Sequence, residues 1–144
     1  MAMPVYISPY LSIPLVAWIF SQGLKYLIQS IKSRSFSDYS FLYTSGNMPS
    51  SHAALMISLL TVIGFKDGPA SALFGVITVL TMIVLYDAAN VRRAVGEQGK
   101  VVTRLVESLG RKETFYTAQG HSVAEVFAGS VTGFTVAILL LQFL

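Results

Sequence analysis

Gly68-Pro69-Ala70-Ser71-Ala72-Leu73-Phe74-Gly75-Val76-Ile77-Thr78-Val79-Leu80-Thr81-Met82-Ile83-Val84-Leu85-Tyr86 is a run of 19 residues without a charged side chain. A helix needs about 20 such residues to cross the ~30 Å hydrocarbon core of a bilayer. Working outward, Lys66-Asp67-Gly68-Pro69 carries the residues of a tight turn. Ahead of it, Tyr39 to Phe65 holds no charge apart from the titratable His52. Pro49 suits a first helical turn, which predicts a helix from Pro49 to Phe65. At 1.5 Å per residue that helix spans only ~25 Å, short for a crossing. Two further charge-free stretches, Met1–Leu24 and Val126–Leu144, flank this pair. They predict a first helix over Pro9–Ser33 and a last one over Ser122–Phe143. Pro4, Pro9 and Pro14 blur the start of the first. Met1–Leu24 lacks a basic leading region and a small-residue cleavage site, so it does not resemble a cleaved signal peptide. Gly129 and Gly133 give the last helix a GxxxG face for close helix contact.

The composition agrees. The chain has 144 residues, a single domain's length, and a net charge of +3. Charged residues make up 12%, about half the usual share of a soluble domain. Mean hydropathy is +0.64. Disorder is excluded, because it needs low hydrophobicity and high charge. There is no cysteine, which excludes disulfides, zinc–thiolate sites, iron–sulfur clusters and thiol nucleophiles. A pI near 9.3 on so apolar a chain reads as membrane topology, not as a nucleic-acid footprint. Between the third and fourth apolar helices, Val101, Val102, Leu105, Val106 and Leu109 share one helical face. This predicts an amphipathic helix in the membrane interface, with an extension of the third helix as the alternative. The expected fold is an all-α integral-membrane bundle over residues 1–144, with about four transmembrane helices and the interfacial one.

Following the chain through the bilayer, nine of the ten Lys and Arg residues fall at one face: Lys25, Lys32, Arg34, Arg92, Arg93, Lys100, Arg104, Arg111 and Lys112. Lys66 alone falls at the other. The positive-inside rule assigns the cationic face to the cytoplasm. Both histidines of the chain lie there, each beside a predicted helix N-terminus: His52 after Met48-Pro49-Ser50-Ser51, and His121 after Gly120. Helix N-termini attract anions, and arginine matches phosphate geometry. Two imidazoles, Arg92 and Arg93 at one face therefore suggest a site for a phosphate-like anion with acid–base or nucleophilic chemistry. Each element also has a simpler use. A histidine can cap a helix, Arg92 and Arg93 can anchor the chain at the interface, and Ser122 with Glu125 forms a capping box. The simpler uses would all have to coincide at one face, and ionisable groups near membrane depth default to function.

Pro49-Ser50-Ser51-His52 resembles the PSGH motif of the type 2 phosphatidic acid phosphatase superfamily, which includes vanadium haloperoxidases. His121 and Glu125 match its Hx3D spacing, with Glu for Asp. Lys25 fits the lysine of the first motif, but Lys32 stands where arginine is usual, with no proline after it. The serine–arginine pair expected before His121 is missing. Asp87-Ala88-Ala89-Asn90-Val91-Arg92-Arg93-Ala94-Val95-Gly96-Glu97-Gln98 supplies arginines instead. The MPSSH, DAxxVRRxxGxQ and GHxxxEVxxG segments together are similar to the divergent branch of that superfamily.

The resemblance implies hydrolysis of a lipid phosphate or diphosphate through a phosphohistidine. His121 would be the nucleophile, Glu125 would hold its other ring nitrogen, and His52 would be the general acid. Lys25, Arg92, Arg93, Gly120 and the backbone around Ser50 and Ser51 would bind the phosphoryl group. Lys32 or Arg34 would replace the missing arginine, and Gln98 lies in the shared segment. The parent family needs no cofactor. Asp87 has no counterpart there. It would either orient Arg92 or Arg93, or join Glu97 on a divalent cation through oxygen ligands. The expected partners are membrane lipids, a lipid phosphate substrate and, through Gly129 and Gly133, a second copy of the chain. The expected location is a bacterial-type plasma membrane with the site facing the cytoplasm. A non-hydrolytic membrane protein that binds or moves a phosphate compound is the alternative.

Overall fold

The computed structural model describes residues 7–34, 36, 47–110 and 120–143. Pro4, Arg111, Lys112, the Tyr39–Gly46 part of the second charge-free stretch, and both chain ends used in the sequence argument lie outside them.

The described residues form helices and no strand: α1 (Pro9–Ser33), α2 (Ser51–Lys66), α3 (Ala72–Tyr86), α4 (Arg92–Ser108) and α5 (Val123–Leu141). A π-helical turn, Asp87–Val91, joins α3 to α4 without a break. The amphipathic segment is a helix that extends the third apolar helix, the arrangement given as the alternative to a separate interfacial helix. Val101, Val102, Leu105 and Leu109 on it are exposed. Pro9–Ser33, Ala72–Ser108 and Val123–Leu141 are long and apolar enough to cross a membrane. Large apolar side chains such as Ile19, Phe20, Met82, Phe127 and Phe134 face outward on them, as lipid contact requires. The protein is a small helical membrane bundle.

Serines set the helix starts. Ser50, not Pro49, borders α2, because its side chain accepts from the Ala53 N–H. Ser71 caps α3 in the same way, two residues after Pro69. Gly68 between α2 and α3 has φ +84°, a left-handed conformation that glycine adopts without strain. Ser122 and Glu125 make a reciprocal capping box on α5, as their spacing predicts. Pro14 is accommodated and buried inside α1.

The short α2 is the central post, packed by α1, α3 and α5. Small residues let the neighbours come close. A Cβ on Gly129 would collide with the Ser50 backbone, and one on Gly133 with that of Ala54. The GxxxG face of α5 is therefore used within the chain, against α2. One core cluster, Ile13, Val62, Ala137 and Leu141, fills the end of the bundle where α2 and α5 finish. The other, Ala53, Ala88 and Val126, sits where they begin.

Candidate functional site

The floor of the site is that second cluster. Ala53, Ala88 and Val126 bring the start of α2, the π turn and the start of α5 together. Two backbone bonds fix the arrangement. The Ser50 N–H donates to the Glu125 carbonyl at 3.1 Å, and the His121 N–H donates to the Ala88 carbonyl at 3.0 Å. Gly120 rests against the backbone at Arg92 and Arg93, where a Cβ would collide. Its small size is a packing requirement. Ser50 and Ser51 are buried here. Since the Ser50 N–H is already bonded, an anion at this helix start would meet the N–H groups of Ser51 and His52, which have no acceptor inside the helix.

Lys25 is 4% exposed, two turns inside α1, and His121 is 6% exposed. His52, in contrast, opens to the surface. The charges of Lys25, Arg92 and Asp87 all act on His52. Those of Lys25, Glu125 and His52 act on His121. The structure therefore assembles His52, His121, Lys25, Glu125 and Arg92 from four separate stretches of sequence.

His121 Nδ1 stands 3.4 Å from Glu125 Oε2. It has no hydrogen-bond partner among the described residues. The same carboxylate oxygen accepts from the Ser122 N–H at 2.9 Å. The contact is electrostatic, longer than a formed N–H···O bond. It favours the tautomer with the proton on Nδ1, leaving the Nε2 lone pair available. Burial, reinforced by the charge of Lys25, pushes the His121 pKa below its ordinary 6.5, with Glu125 opposing. The imidazole is neutral, and so nucleophilic, at pH 7. The sign of the linkage follows. Stability associated with neutral His121 is complete above 6.5 and is lost as pH falls through the lowered native value.

Two substitutions should move this titration in opposite directions. Lys25→Met removes a cation and raises the His121 pKa. Glu125→Gln keeps an oxygen for the cap but removes the anion, and lowers it. Titration of the His121 ring signals by NMR reads both. Shifts of the same sign would contradict the assigned neighbours.

The two arginines separate. Arg92 Nε bonds Asp87 Oδ2 at 2.6 Å. Arg93 turns to a polar cleft of about 210 Å³, which Lys100, Gly96, Gly120, Ser122 and Glu125 also line. Glu97 lines the cleft too and lies 3.4 Å from Lys100 Nζ. Asp87 and Glu97 are therefore engaged with different cations. No group of three or more His, Asp or Glu side chains suited to a metal occurs among the described residues. Lys32 and Arg34 are exposed at the end of α1, beyond Lys25, and Gln98 is exposed on α4. No described contact ties these three to the histidines. Sequence reasoning missed the Ala88 carbonyl and the π turn, because no side chain announces either.

The profile of the Divergent PAP2 family matches residues 7–136. A Bacillus subtilis (strain 168) protein described as an uncharacterized membrane protein, YuiD, is 35% identical over 145 residues, covering 90% of this chain and 91% of its own length. No solved structure matches the chain. With its profile match running from α1 nearly to the end of α5, the chain belongs to the Divergent PAP2 family.

Proposed function

We propose that the protein is a membrane phosphatase that hydrolyses a lipid phosphate or diphosphate through a phosphohistidine on His121. The observation that carries this reading is the pairing of His121 with His52 across two helix starts tied together by the Ser50–Glu125 backbone bond, with buried Lys25 acting on both. His121 Nε2 attacks the terminal phosphorus, and the P–O bond to the leaving group breaks: the lipid alcohol of a monophosphate, or the lipid monophosphate of a diphosphate. Protonated His52 gives its proton to the departing oxygen. Water then attacks the phosphohistidine, losing a proton to His52. The P–N bond breaks, and inorganic phosphate leaves with His121 neutral again. Lys25, Arg92 and the free N–H groups at the start of α2 offset the charge on the phosphoryl oxygens. Glu125 steadies the ring as it becomes cationic.

An amphiphilic substrate fits the surroundings. An apolar groove of about 350 Å³ lies between α1 and α5, lined by Val16, Phe20, Val131, Thr135, Leu139 and Leu140. The Thr135 hydroxyl bonds its own helix, to the Val131 carbonyl, so it leaves the wall apolar. Phe20 is five residues from Lys25 and Val131 six from Glu125, roughly 8–9 Å at 1.5 Å per residue. A hydrocarbon tail in the groove would present its phosphate at the helix starts. The cationic bias of this face supports a cytoplasmic orientation of the site.

The test is phosphate release by purified protein in detergent, from a panel of lipid phosphates and diphosphates, with and without a chelator. Wild type should release phosphate. His52→Gln should lose about 10²–10⁴-fold on alkyl phosphates. From p-nitrophenyl phosphate, whose leaving group needs no proton, it should still give a fast first burst of p-nitrophenol, while phosphate release stays slow because His52 also takes the proton of the attacking water. Folded wild type that releases nothing from any substrate would overturn the phosphatase reading and favour a phosphate binder.

A further inference from the structure

The π turn is the one departure from α-helical geometry in the long run Ala72–Ser108. At 100° per residue, positions five apart on an α-helix lie about 140° apart around the axis and cannot meet. In a π turn they stack. Here that places Asp87 against Arg92 at 2.6 Å. The carboxylate takes the Nε–H and leaves both terminal NH2 groups of the guanidinium unspent by that pair. The turn is also fixed to the site. Its Ala88 carbonyl holds the His121 N–H. Buried Ala88 packs on Ala53 and Val126. Arg92 and Asp87 both act on His52 through charge.

We propose that Asp87 is a positioning residue. It holds Arg92 by the Nε–H so that the two terminal NH2 groups grip the phosphoryl oxygens beside His52, and the π turn is the device that makes the pair. This rests on the phosphatase reading for its substrate, but the pair can be tested without turnover. The reason for such a device lies in the origin of the arginine. It comes from the α3–α4 run and not from the chain leading to His121, so its direction must be set by a neighbour on its own helix. Lysine in its place could not serve, because one ammonium cannot engage Asp87 and chelate two phosphoryl oxygens in a fork.

The pair is exposed, with side chains 52% and 35% accessible for Arg92 and Asp87, so its removal should hardly alter stability. A merely structural role and a positioning role therefore part company in the measurements. Asp87→Asn, Arg92→Gln and the double variant are compared for kcat/KM on a lipid phosphate, for affinity toward inorganic phosphate, and for thermal unfolding. Asp87→Asn should lose about 10–100-fold in kcat/KM, the scale of a misdirected group. Arg92→Gln should lose about 10²–10³-fold, as for one lost charge-stabilising donor. The double variant should be no worse than Arg92→Gln, because the two residues act as one unit. Asp87→Glu should recover part of the loss, and the unfolding temperatures should match wild type.

Full activity in Asp87→Asn, losses that multiply in the double variant, or a loss that tracks the unfolding temperature would each overturn the proposal. The same cycle read by phosphate affinity separates the two ideas. Non-additive binding in a wild type without turnover keeps the positioning role and removes the phosphatase. Turnover with independent Asp87 and Arg92 effects does the reverse, and phosphate binding with independent effects in a wild type without turnover removes both. Wild type that neither turns over nor binds phosphate removes both.

Discussion

His121→Ala should reduce phosphate release by on the order of 10⁴-fold or more, while leaving the bundle folded. Loss of a covalent nucleophile removes the whole two-step route, which is why single knock-outs of such groups cost so much. The fold should survive because the His121 backbone, not its ring, carries the bond to the Ala88 carbonyl, and the ring Nδ1 makes no hydrogen bond among the described residues. Rapid acid-free quenching with a radiolabelled substrate adds a sharper readout. Wild type should carry label that is stable to alkali and lost in acid, as a phosphoramidate is. His121→Ala should carry none. His52→Gln should still be labelled by a substrate with a good leaving group and should release that label slowly. Label retained in His121→Ala would move the nucleophile elsewhere.

Gly129→Val should be strongly damaging although the residue takes no part in the chemistry. A Cβ there meets the Ser50 backbone, which cannot swing aside as a side chain would. The Ser50 carbonyl also accepts from the Ala54 N–H at 3.1 Å, in the first turn of α2. Relief of the collision must therefore separate α5 from α2 or unwind that turn. The cost should reach about 3 kcal/mol, the upper end for overpacking. Activity should fall with it, because His52 and Glu125 ride on the two helices forced apart. Gly23→Ala is the control. No atom lies within 4 Å of a Cβ there. Alanine inside a helix should be neutral or stabilising by about 0.5–1 kcal/mol. Thermal unfolding in detergent measures both, and equal tolerance at the two positions would refute the packing account.

The helices were legible because the hydrocarbon core demands long uncharged runs, and Gly68–Tyr86 and Val126–Leu144 declare themselves by that alone. The caps were legible where side-chain chemistry fixes them: Ser122 with Glu125 reads directly as a box. Pro49 misled by two residues, since Ser50 offers α2 a better cap. The sequence also placed His52, His121, Lys25 and Arg92 at one face, because helix order determines which ends meet. It could not separate Arg92 from Arg93, which depends on a turn whose extra residue leaves no mark in a hydrophobic pattern. Nor could it show that Gly129 and Gly133 are spent on α2. A GxxxG face fits any close helix, and only the packed bundle decides between a neighbour in the chain and a second copy. Lys32 and Arg34 looked equivalent to Lys25 by charge, yet only Lys25 lies inside the bundle.

The length of α2 has an energetic consequence for a lipid substrate. Its 16 residues rise about 24 Å, some 6 Å less than a ~30 Å hydrocarbon layer. Its far end is pinned near the opposite surface by exposed Lys66 and Asp67. On the phosphatase reading, that shortfall would set the end that carries His52 below the level of the lipid headgroups. Water would then come down to the phosphate of a lipid substrate, and the lipid would not have to rise to meet it. Each methylene drawn out of the leaflet would cost about 0.8 kcal/mol. A sunken floor would spare such a substrate that extraction and leave the binding energy for the reacting group.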